Sequence, residues 1–424
     1  MTTVAEALHS LGIKEWVLRG QPTNEKEFNT MFTKVVGEKD GAGIESSDPK
    51  DFGVTWKQVS DKKAELRENN MSKAAELANL IGNINAGGGG VNRNVIINGA
   101  MNVAQRGTSK TSFGGGSASG YFTIDRFKLD QDSGGVLTMT QDSSSPDGFS
   151  NSLKLDCTTA DTSVAAGEYL VISHRIEGQN LQTFQKGTSD AKPFAVSFYA
   201  KANASATYVV ELYDGDNTRQ VSKSFTVGTD WARVELSFPA DTTGAFDQDA
   251  NNSLNMQIWL HAGTTWSSGT LSETWTSNTN ANRAVGISSF YSSTDNTFFI
   301  TGVQLEVGQN PTEFEHEPFD TTLEKCQRYY QSVPESGYLY DIVVFHYGSN
   351  IYFGHQILKR LRATPTVTFT TNGDYYEGGA SHSTSSMASR NPSSHAINIY
   401  GAAGGGTSGY AGGIYLSYQV DAEI

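Results

Sequence analysis

From Asn92 to about Pro318 apolar and polar residues alternate with a period of two, the mark of half-buried strands. The runs are Glu168–Ile176, Phe194–Lys201, Thr207–Tyr213, Arg219–Val227, Trp231–Phe238, Leu254–His261 and Phe298–Glu306. Phe194, Val196, Phe198 and Ala200 share one face of the second run, and Trp231, Val234, Leu236 and Phe238 nearly share one face of the fifth. Turn sequences such as Asp214-Gly215-Asp216-Asn217 and Val227-Gly228-Thr229-Asp230 separate them. Many short strands without helical crossovers predict an antiparallel β-sandwich. A single module of about 225 residues favours the jelly-roll wrapping.

The period changes to 3.6 nearer the N-terminus. Thr3-Val4-Ala5-Glu6 is a capping box, and Val4, Ala7, Leu8 and Leu11 follow on one helical face. Asn24-Glu25-Lys26-Glu27 opens a second helix with Phe28, Met31, Phe32 and Val35 on one side. A third, from about Thr55 to Ile84, carries a heptad seam of Trp56, Val59, Lys63, Leu66, Asn70, Lys73, Leu77, Leu80 and Ile84. Asn70 at a core position fixes register, so Trp56, Val59, Leu66, Asn70, Leu77, Leu80 and Ile84 are the candidate oligomerisation residues. A competing register, Ala74, Leu77, Ile81 and Ile84, is clean but short. The alternative to a short parallel coiled coil is an amphipathic helix packed on its own small domain.

Residues 331–424 read differently again. They hold 10 of the 18 tyrosines and 4 of the 8 histidines. Ile342–Phe345, Ile351–Phe353, Val367–Thr370, Ile397–Tyr400 and Ile414–Tyr418 read as strands, with long loops at Asn372–Pro392 and Gly401–Tyr410. Tyrosine among Ser, Gly and Asn is the composition of adaptable recognition loops, and its flat face with a hydroxyl suits sugars. Tyr375, Tyr376 and Tyr410 are therefore candidate receptor contacts. The competing reading is that Gly and Tyr pack a small β domain.

Charge sharpens these boundaries. Residues 1–85 hold 11 Lys/Arg and 13 Asp/Glu, a far higher density than the rest of the 424-residue chain, and Gly87–Gly90 marks the step as a flexible joint. The expected organisation is mainly β and multidomain: a helical head with a short coiled coil (1–85), a Gly-rich joint (86–91), the sandwich (92–319), a linking helix (320–331) and a β-rich tip (332–424). A net charge of −14 argues against nucleic acid or an anionic membrane as partner. No apolar run reaches the ~18 residues of a membrane span, so membrane insertion is not expected. The start of the chain lacks a basic region followed by an apolar one, so no secretory signal is expected. Two cysteines, Cys157 and Cys326, make no disulfide framework.

Candidate chemistry is sparse. A glycosidase needs two carboxyl groups about 5–9.5 Å apart. Glu313, Glu315, Glu317 and Asp320 cluster in sequence, while Asp214/Asp216 and Asp247/Asp249 read as turn residues or at most a weak calcium site. Asp125-Arg126 reads as an ion pair at a strand start, and Cys326 as a small core hydrophobe on a short helix with Leu323, Gln327 and Tyr330. Gly114-Gly115-Gly116 precedes no helix and reads as a loop rather than a phosphate cradle. His346 and His355 read as a satisfied or exposed pair rather than metal ligands. No catalytic residue, cofactor or metal is expected. Trp275 reads as a packing residue, and Trp266, in a loop of small polar residues, as the better candidate for stacking on a sugar.

Several motifs resemble a β-sandwich module of bacteriophage tail-fibre and tail-spike proteins. They are Asn94–Met101, Gln105-Arg106-Gly107 and Thr123–Phe127 at its opening, and Phe299–Gly308 and Pro311–Glu315 at its close. Cys326–Tyr330 and Ala363–Val367 follow in the family's order, and the resemblance covers roughly residues 92–370. Ala5–Leu8, Lys14–Val17 and Asp51–Trp56 also resemble the N-termini of phage tail proteins, less diagnostically. The resemblance implies a virion component with a carbohydrate-binding-module-like sandwich, usually in a homotrimeric fibre assembled in the host cytoplasm. The expectation is a structural tail fibre held to a tail or adaptor protein by residues 1–85, with its distal β domains on a host-surface glycan. The alternatives are a tail-spike depolymerase and a non-adsorbing tail adaptor or decoration protein.

Overall fold

The computed structural model describes residues 92–333, 342–347, 351–371 and 373–424, together with Lys26 and Glu27. The chain divides into two units, Met1–Ile81 and Gly82–Ile424. The expected helical head, its heptad seam from Trp56 to Ile84 and the Gly joint lie outside the described residues. The architecture below is that of the second unit.

Its first eleven strands are β1 (Ser109–Tyr121), β2 (Lys128–Asp142), β3 (Ser152–Thr159), β4 (Tyr169–Glu177), β5 (Phe194–Ala202), β6 (Ala206–Asp214), β7 (Arg219–Val227), β8 (Ala232–Phe238), β9 (Asn252–Ala262), β10 (Thr276–Ser277) and β11 (Thr297–Val307). All pair antiparallel along the path β10-β7-β6-β9-β4-β2-β3-β11-β5-β8, with β1 on β2. The pairs β6·β7, β5·β8, β4·β9 and β3·β11 are nested, each enclosing the one before. This nesting is the wrapping of a jelly roll, and successive pairs fall alternately in one sheet or the other. Apolar residues of both sheets meet between them: Phe198 against Phe225 at 5.0 Å and Tyr208 against Phe298 at 5.5 Å, both edge to face. Trp231 departs from the face it nearly shared in sequence. It precedes β8 and packs on Phe299 at the sandwich surface, at 6.1 Å.

Strand β2 belongs to both sheets. Lys128–Asp132 pair with β4, and Val136–Asp142 pair with β3. The fold in this strand falls at Gly134-Gly135, and Gly114–Gly116 lie at the register shift in β1 opposite. A Cβ on Gly135 would sit 2.4 Å from the Tyr291 ring. Gly114 has φ +112° and its Cβ would meet the Gln131 amide at 2.1 Å. The Gly run is thus the bend of a two-stranded ribbon and not the loop its composition implied; small residues are required where the ribbon turns over the core.

The carboxylates of the exit segment close the module. Glu315 accepts the backbone N–H groups of Asn92 (2.6 Å) and Asn94 (2.9 Å). Glu306, buried, pairs with Arg93 at 3.2 Å and accepts from Thr312. Gly99 packs so tightly on Val303 that a Cβ would lie 2.0 Å from its carbonyl oxygen. The opening and closing motifs therefore clamp each other.

A buried ammonium closes the other end. Lys186 Nζ lies 2.5 Å from Asp214 and 3.1 Å from Asp241, and it donates to the carbonyls of Thr243 (3.0 Å) and Gly244 (2.7 Å). Arg219 holds Asp241 from the other side at 2.7 Å. Asp216 accepts from the N–H of Asp247, and Asp249 from that of Asn251, so these acids cap turns.

Beyond the sandwich, helix α2 (Phe319–Gln327) leads into β12 (Tyr330–Val333); helix α1 is the short turn Thr264–Ser267. The remaining strands are β13 (Ile342–Tyr347), β14 (Ile351–Ile357), β15 (Thr366–Phe369), β16 (Asp374–Glu377), β17 (Ala380–Arg390), β18 (Ala396–Ala403), β19 (Ala411–Tyr415) and β20 (Tyr418–Asp421). β12-β20-β15 form a small sheet, and β13-β14-β18-β17-β16-β19 a closed barrel. The expected long loop at 372–392 is largely the hairpin β16–β17. Its polar sequence hides strands because a small barrel buries one face only.

Two arginines tie this sheet to the sandwich. Arg126, with a fully buried side chain and φ +73°, lies 3.5 Å from the Tyr329 ring centre, ion-pairs with Glu423 and donates to the Arg175 carbonyl at 2.6 Å. Asp125 is not its partner; that carboxylate accepts from Gln105 instead. Arg106 stacks on Tyr330 at 3.6 Å and reaches Asp421 at 3.1 Å. Arg328 makes a two-pronged contact with buried Glu177, at 2.9 and 2.7 Å. Cys326 is buried on α2, as expected of a core hydrophobe.

Two measurements follow from these ion pairs. Lys186→Met leaves Asp214 and Asp241 in the core without their shared cation and should cost about 3–5 kcal/mol by urea unfolding; a cost below about 1 kcal/mol would show that water replaces the ammonium. Glu177→Gln should cost about 1–3 kcal/mol at neutral pH. Although burial alone would raise it, Glu177 has its pKa held below the usual carboxylate value by Arg328, Tyr329 and Gln179. Its contribution is full above the unfolded-state pKa and is lost as pH falls through the native one. The Gln variant and the parent should therefore converge in acid, as read by urea midpoints along a pH series.

Candidate functional site

The first sheet, β7-β6-β9-β4 with the first half of β2, packs one face on the core and turns the other away. On β6, Tyr208, Val210 and Leu212 enter the core, so Val209, Glu211 and Tyr213 face outward. Strand register sets the outer residues in rows. Tyr213, Asn255 and Arg175 form one; Glu211, Gln257, Ser173 and Lys128 the next; Val209, Trp259, Val171 and Asp130 the third.

The segment 263–287 folds over the third row. Val171, Val209, Trp259 and Ala284 form a small apolar cluster with Tyr169, Trp266, Leu271 and Ile287 packed against it. Trp266 stands 5.6 Å from Trp259 and 5.7 Å from Tyr169, and its indole N–H donates to the Gly167 carbonyl at 3.0 Å. Arg283 anchors the cover. Its Nε donates to Glu211 Oε1 (2.9 Å), and its Nη2 to Glu211 Oε2 (3.0 Å) and Gln257 Oε1 (2.8 Å). Its guanidinium lies 5.0 to 5.4 Å from the ring centres of Trp259, Tyr213 and Trp266. The Trp259 indole N–H also donates to Glu211, at 2.8 Å. One buried carboxylate thus fixes an indole and an arginine on the sheet.

The first two rows stay beside this cover. Tyr213, Gln257, Arg175 and Lys128 are all half-buried. Beneath them Ser173 Oγ and Asn255 Oδ1 are buried without a hydrogen-bond partner among the described residues. Buried polar atoms left unpaired cost about 1–3 kcal/mol each. The face therefore offers the half-buried polar heads of Gln257, Arg175 and Lys128 beside the aromatic wall, above two polar atoms closed off from solvent.

Of the residues singled out by sequence, only Trp266 belongs here, as part of the wall. Tyr410 is 59 % exposed, on the barrel. Tyr375 is fully buried inside the barrel and donates to Glu377 at 2.8 Å, so it presents no face to a receptor. Neighbouring residues on a strand point to opposite sides, and Tyr376, half-buried, takes the outer one. Trp275 packs on Phe194 at 5.5 Å, as expected. His346 is buried beside Tyr375. Among the described residues no three His, Cys, Asp or Glu side chains converge as metal ligands. Sequence reading missed Glu211, Gln257 and Trp259, although their outward alternation with Leu212, Met256 and Ile258 was visible. Arg283 had no such signal, because it sits in an irregular segment.

A second arrangement lies at the end of β9. His261 Nδ1 is 2.8 Å from Ser289 Oγ, and Nε2 is 3.4 Å from Glu168. Burial lowers the pKa of His261 against the pull of Glu168.

No protein-family description matches the sequence, and no curated protein matches it. Among solved structures 48 chains match. One is the enzymatically active domain of tailspike protein 4 of bacteriophage CBA120, 15% identical, covering 46% of this chain and 21% of that one, with a TM-score of 0.26. This chain thus spans about a fifth of that tailspike's length (21%). Another is the family 11 carbohydrate-binding module of Clostridium thermocellum in complex with a β-1,3-1,4-mixed-linked tetrasaccharide, 11% identical, covering 50% and 99%, TM-score 0.24. A third is the CBM22-1 xylan-binding domain of Paenibacillus barcinonensis Xyn10C, 11% identical, covering 47% and 93%, TM-score 0.22.

Proposed function

We propose that this chain is a structural tail-fibre protein of a phage whose sandwich binds a host-surface glycan. The observation that carries the binding is the outer face of the first sheet. Its floor has the half-buried Gln257, Arg175 and Lys128, and its wall has Tyr213, Trp266 and Arg283. The amide, guanidinium and ammonium groups of that floor can hydrogen-bond sugar hydroxyls, and the C–H faces of a pyranose lie against aromatic rings. An open sheet face suits a stretch of polysaccharide better than a single buried sugar.

The virion role rests on sequence resemblance. The motifs shared with tail-fibre modules are the ones that build the entry–exit clamp around Glu315 and the junction around Arg126 and Tyr329. In this reading residues 1–85 hold the tail or an adaptor protein, three chains associate through the seam from Trp56 to Ile84, and Tyr410 on the barrel adds a peripheral contact. Weak single contacts repeated over three chains would raise avidity by ~10²–10⁴.

The second reading, a tail-spike enzyme acting on host polysaccharide, is favoured by the alignment of Ser289, His261 and Glu168. That order of hydroxyl, imidazole and carboxylate suits acyl transfer, such as removal of glycan esters. Release of acid from an acetylated host polysaccharide, lost in Ser289→Ala, would favour it over the fibre. A non-adsorbing adaptor would show neither glycan binding nor that release.

Tyr213→Ala tests the sheet face. It should keep its melting temperature within a few degrees, since the ring is half-buried, and should weaken binding to the best oligosaccharide from a host-glycan array about five- to tenfold by calorimetry. Unchanged affinity would move binding off this face. Light scattering of the full chain at micromolar concentration should give a trimer; a monomer of 45.7 kDa would remove the fibre assembly.

A further inference from the structure

A cavity of about 400 Å³ lies where β1 faces the sheet β12-β20-β15, and its Tyr121 pairs across β1–β2 with Lys128 at the margin of the outer sheet face. Its lining includes Arg106, Lys110, Tyr121, Phe122, Thr368 and Asp421. The volume is that of a small ligand site and accommodates one or two sugar rings.

Its charge runs against that of the chain. On a protein of net charge −14, two cations and a single carboxylate border this cavity. Asp421 is taken up by Arg106, at 3.1 Å. Lys110 has no carboxylate within ion-pair distance among the described residues; its ammonium lies 5.4 Å from the centre of the Phe122 ring. Arg106 is held flat on Tyr330 at 3.6 Å, and its guanidinium also lies 5.4 Å from the Tyr121 ring centre. The cavity thus combines one uncompensated cation, a fixed guanidinium, three aromatic rings (Tyr121, Phe122 and Tyr330) and the hydroxyl of Thr368.

We propose that this cavity is a second glycan subsite, selective for a sugar that carries a carboxylate, such as a hexuronic acid. The carboxylate is bound by Lys110, where a charge-assisted hydrogen bond replaces solvent. The ring lies against Tyr121 and Phe122. Thr368 takes a ring hydroxyl. The choice of a sugar rests on the glycan-binding reading; the choice of an acidic one rests on Lys110 alone. A host chain containing uronate residues would then be held at two separate places on one protein.

The test uses the full chain at low ionic strength, with D-glucuronate, D-glucose and inorganic phosphate titrated separately by ligand-observed NMR. Glucuronate should bind in the millimolar range, at least about tenfold tighter than glucose and phosphate. Lys110→Ala should lose about tenfold in glucuronate affinity while keeping its melting temperature, because Lys110 makes no ion pair among the described residues. Thr368→Trp, which fills the cavity, should abolish binding, and Tyr213→Ala should leave it unchanged. Equal binding of glucose would overturn the selectivity, and equal binding of phosphate would reduce the site to a simple anion site. Full binding by Lys110→Ala would place the ligand elsewhere. Loss of binding in Tyr213→Ala with none in Lys110→Ala would assign glucuronate to the outer sheet face and overturn this site, while leaving the glycan-binding reading intact.

Discussion

The buried guanidinium of Arg126 joins parts of the chain that are far apart in sequence. It touches the Arg175 carbonyl at the end of β4, the Tyr329 ring after α2 and the Glu423 carboxylate beyond β20. A charge with no exposure is tolerable only when its partners are close and its hydrogen bonds directed. The partner also bears a cost: burial raises the pKa of Glu423 despite Arg126 and Arg106. The junction is therefore an all-or-none assembly. Remove one element and the remaining charges are stranded, so the sandwich and the small sheet are bound to be present together.

The same economy recurs at the two ends of the sandwich. At one, the Lys186 ammonium satisfies two carboxylates and two carbonyls that would otherwise repel or remain unpaired. At the other, Glu315 caps two N–H groups of the incoming strand. In these cases charged side chains among the described residues finish loops and joints. Glu211 is the exception in location rather than in kind: it closes a network with Arg283 and Trp259 on an outer sheet face, and so fixes side chains where a ligand would meet them.

Much of the sandwich was legible as alternation. β4 to β9 and β11 fall within one or two residues of the sequence reading, because each buries a regular apolar face, while the two-residue, exposed β10 went unread. Sequence reading missed β1, β2 and β3. Leu137 and Met139 in β2 and Leu153, Leu155 and Cys157 in β3 alternate inward and were visible in the sequence, whereas in β1 the Gly and Ser residues of the bent ribbon blur the alternation. The hairpin β16–β17 was hidden for the same reason. Trp266 could be picked out as an aromatic among small polar residues, whereas Tyr375 could not be told from Tyr376 without the strand that sends one inward.

The sequence by itself determined that the body is antiparallel β, which residues of the regular strands face the core, and which motifs resemble tail-fibre modules. Those properties are local, set by side-chain alternation and by short runs of residues. Tertiary structure decided which charges pair: Arg126 with Glu423 rather than Asp125, Lys186 with Asp214 and Asp241, Arg283 with Glu211. It also decided that β2 serves both sheets, and that the polar outer face of β6, β9 and β4 lies beside an aromatic wall. These depend on residues tens to hundreds of positions apart brought within 3 Å or so, a distance at which electrostatics and hydrogen bonding act and about which linear spacing carries no information.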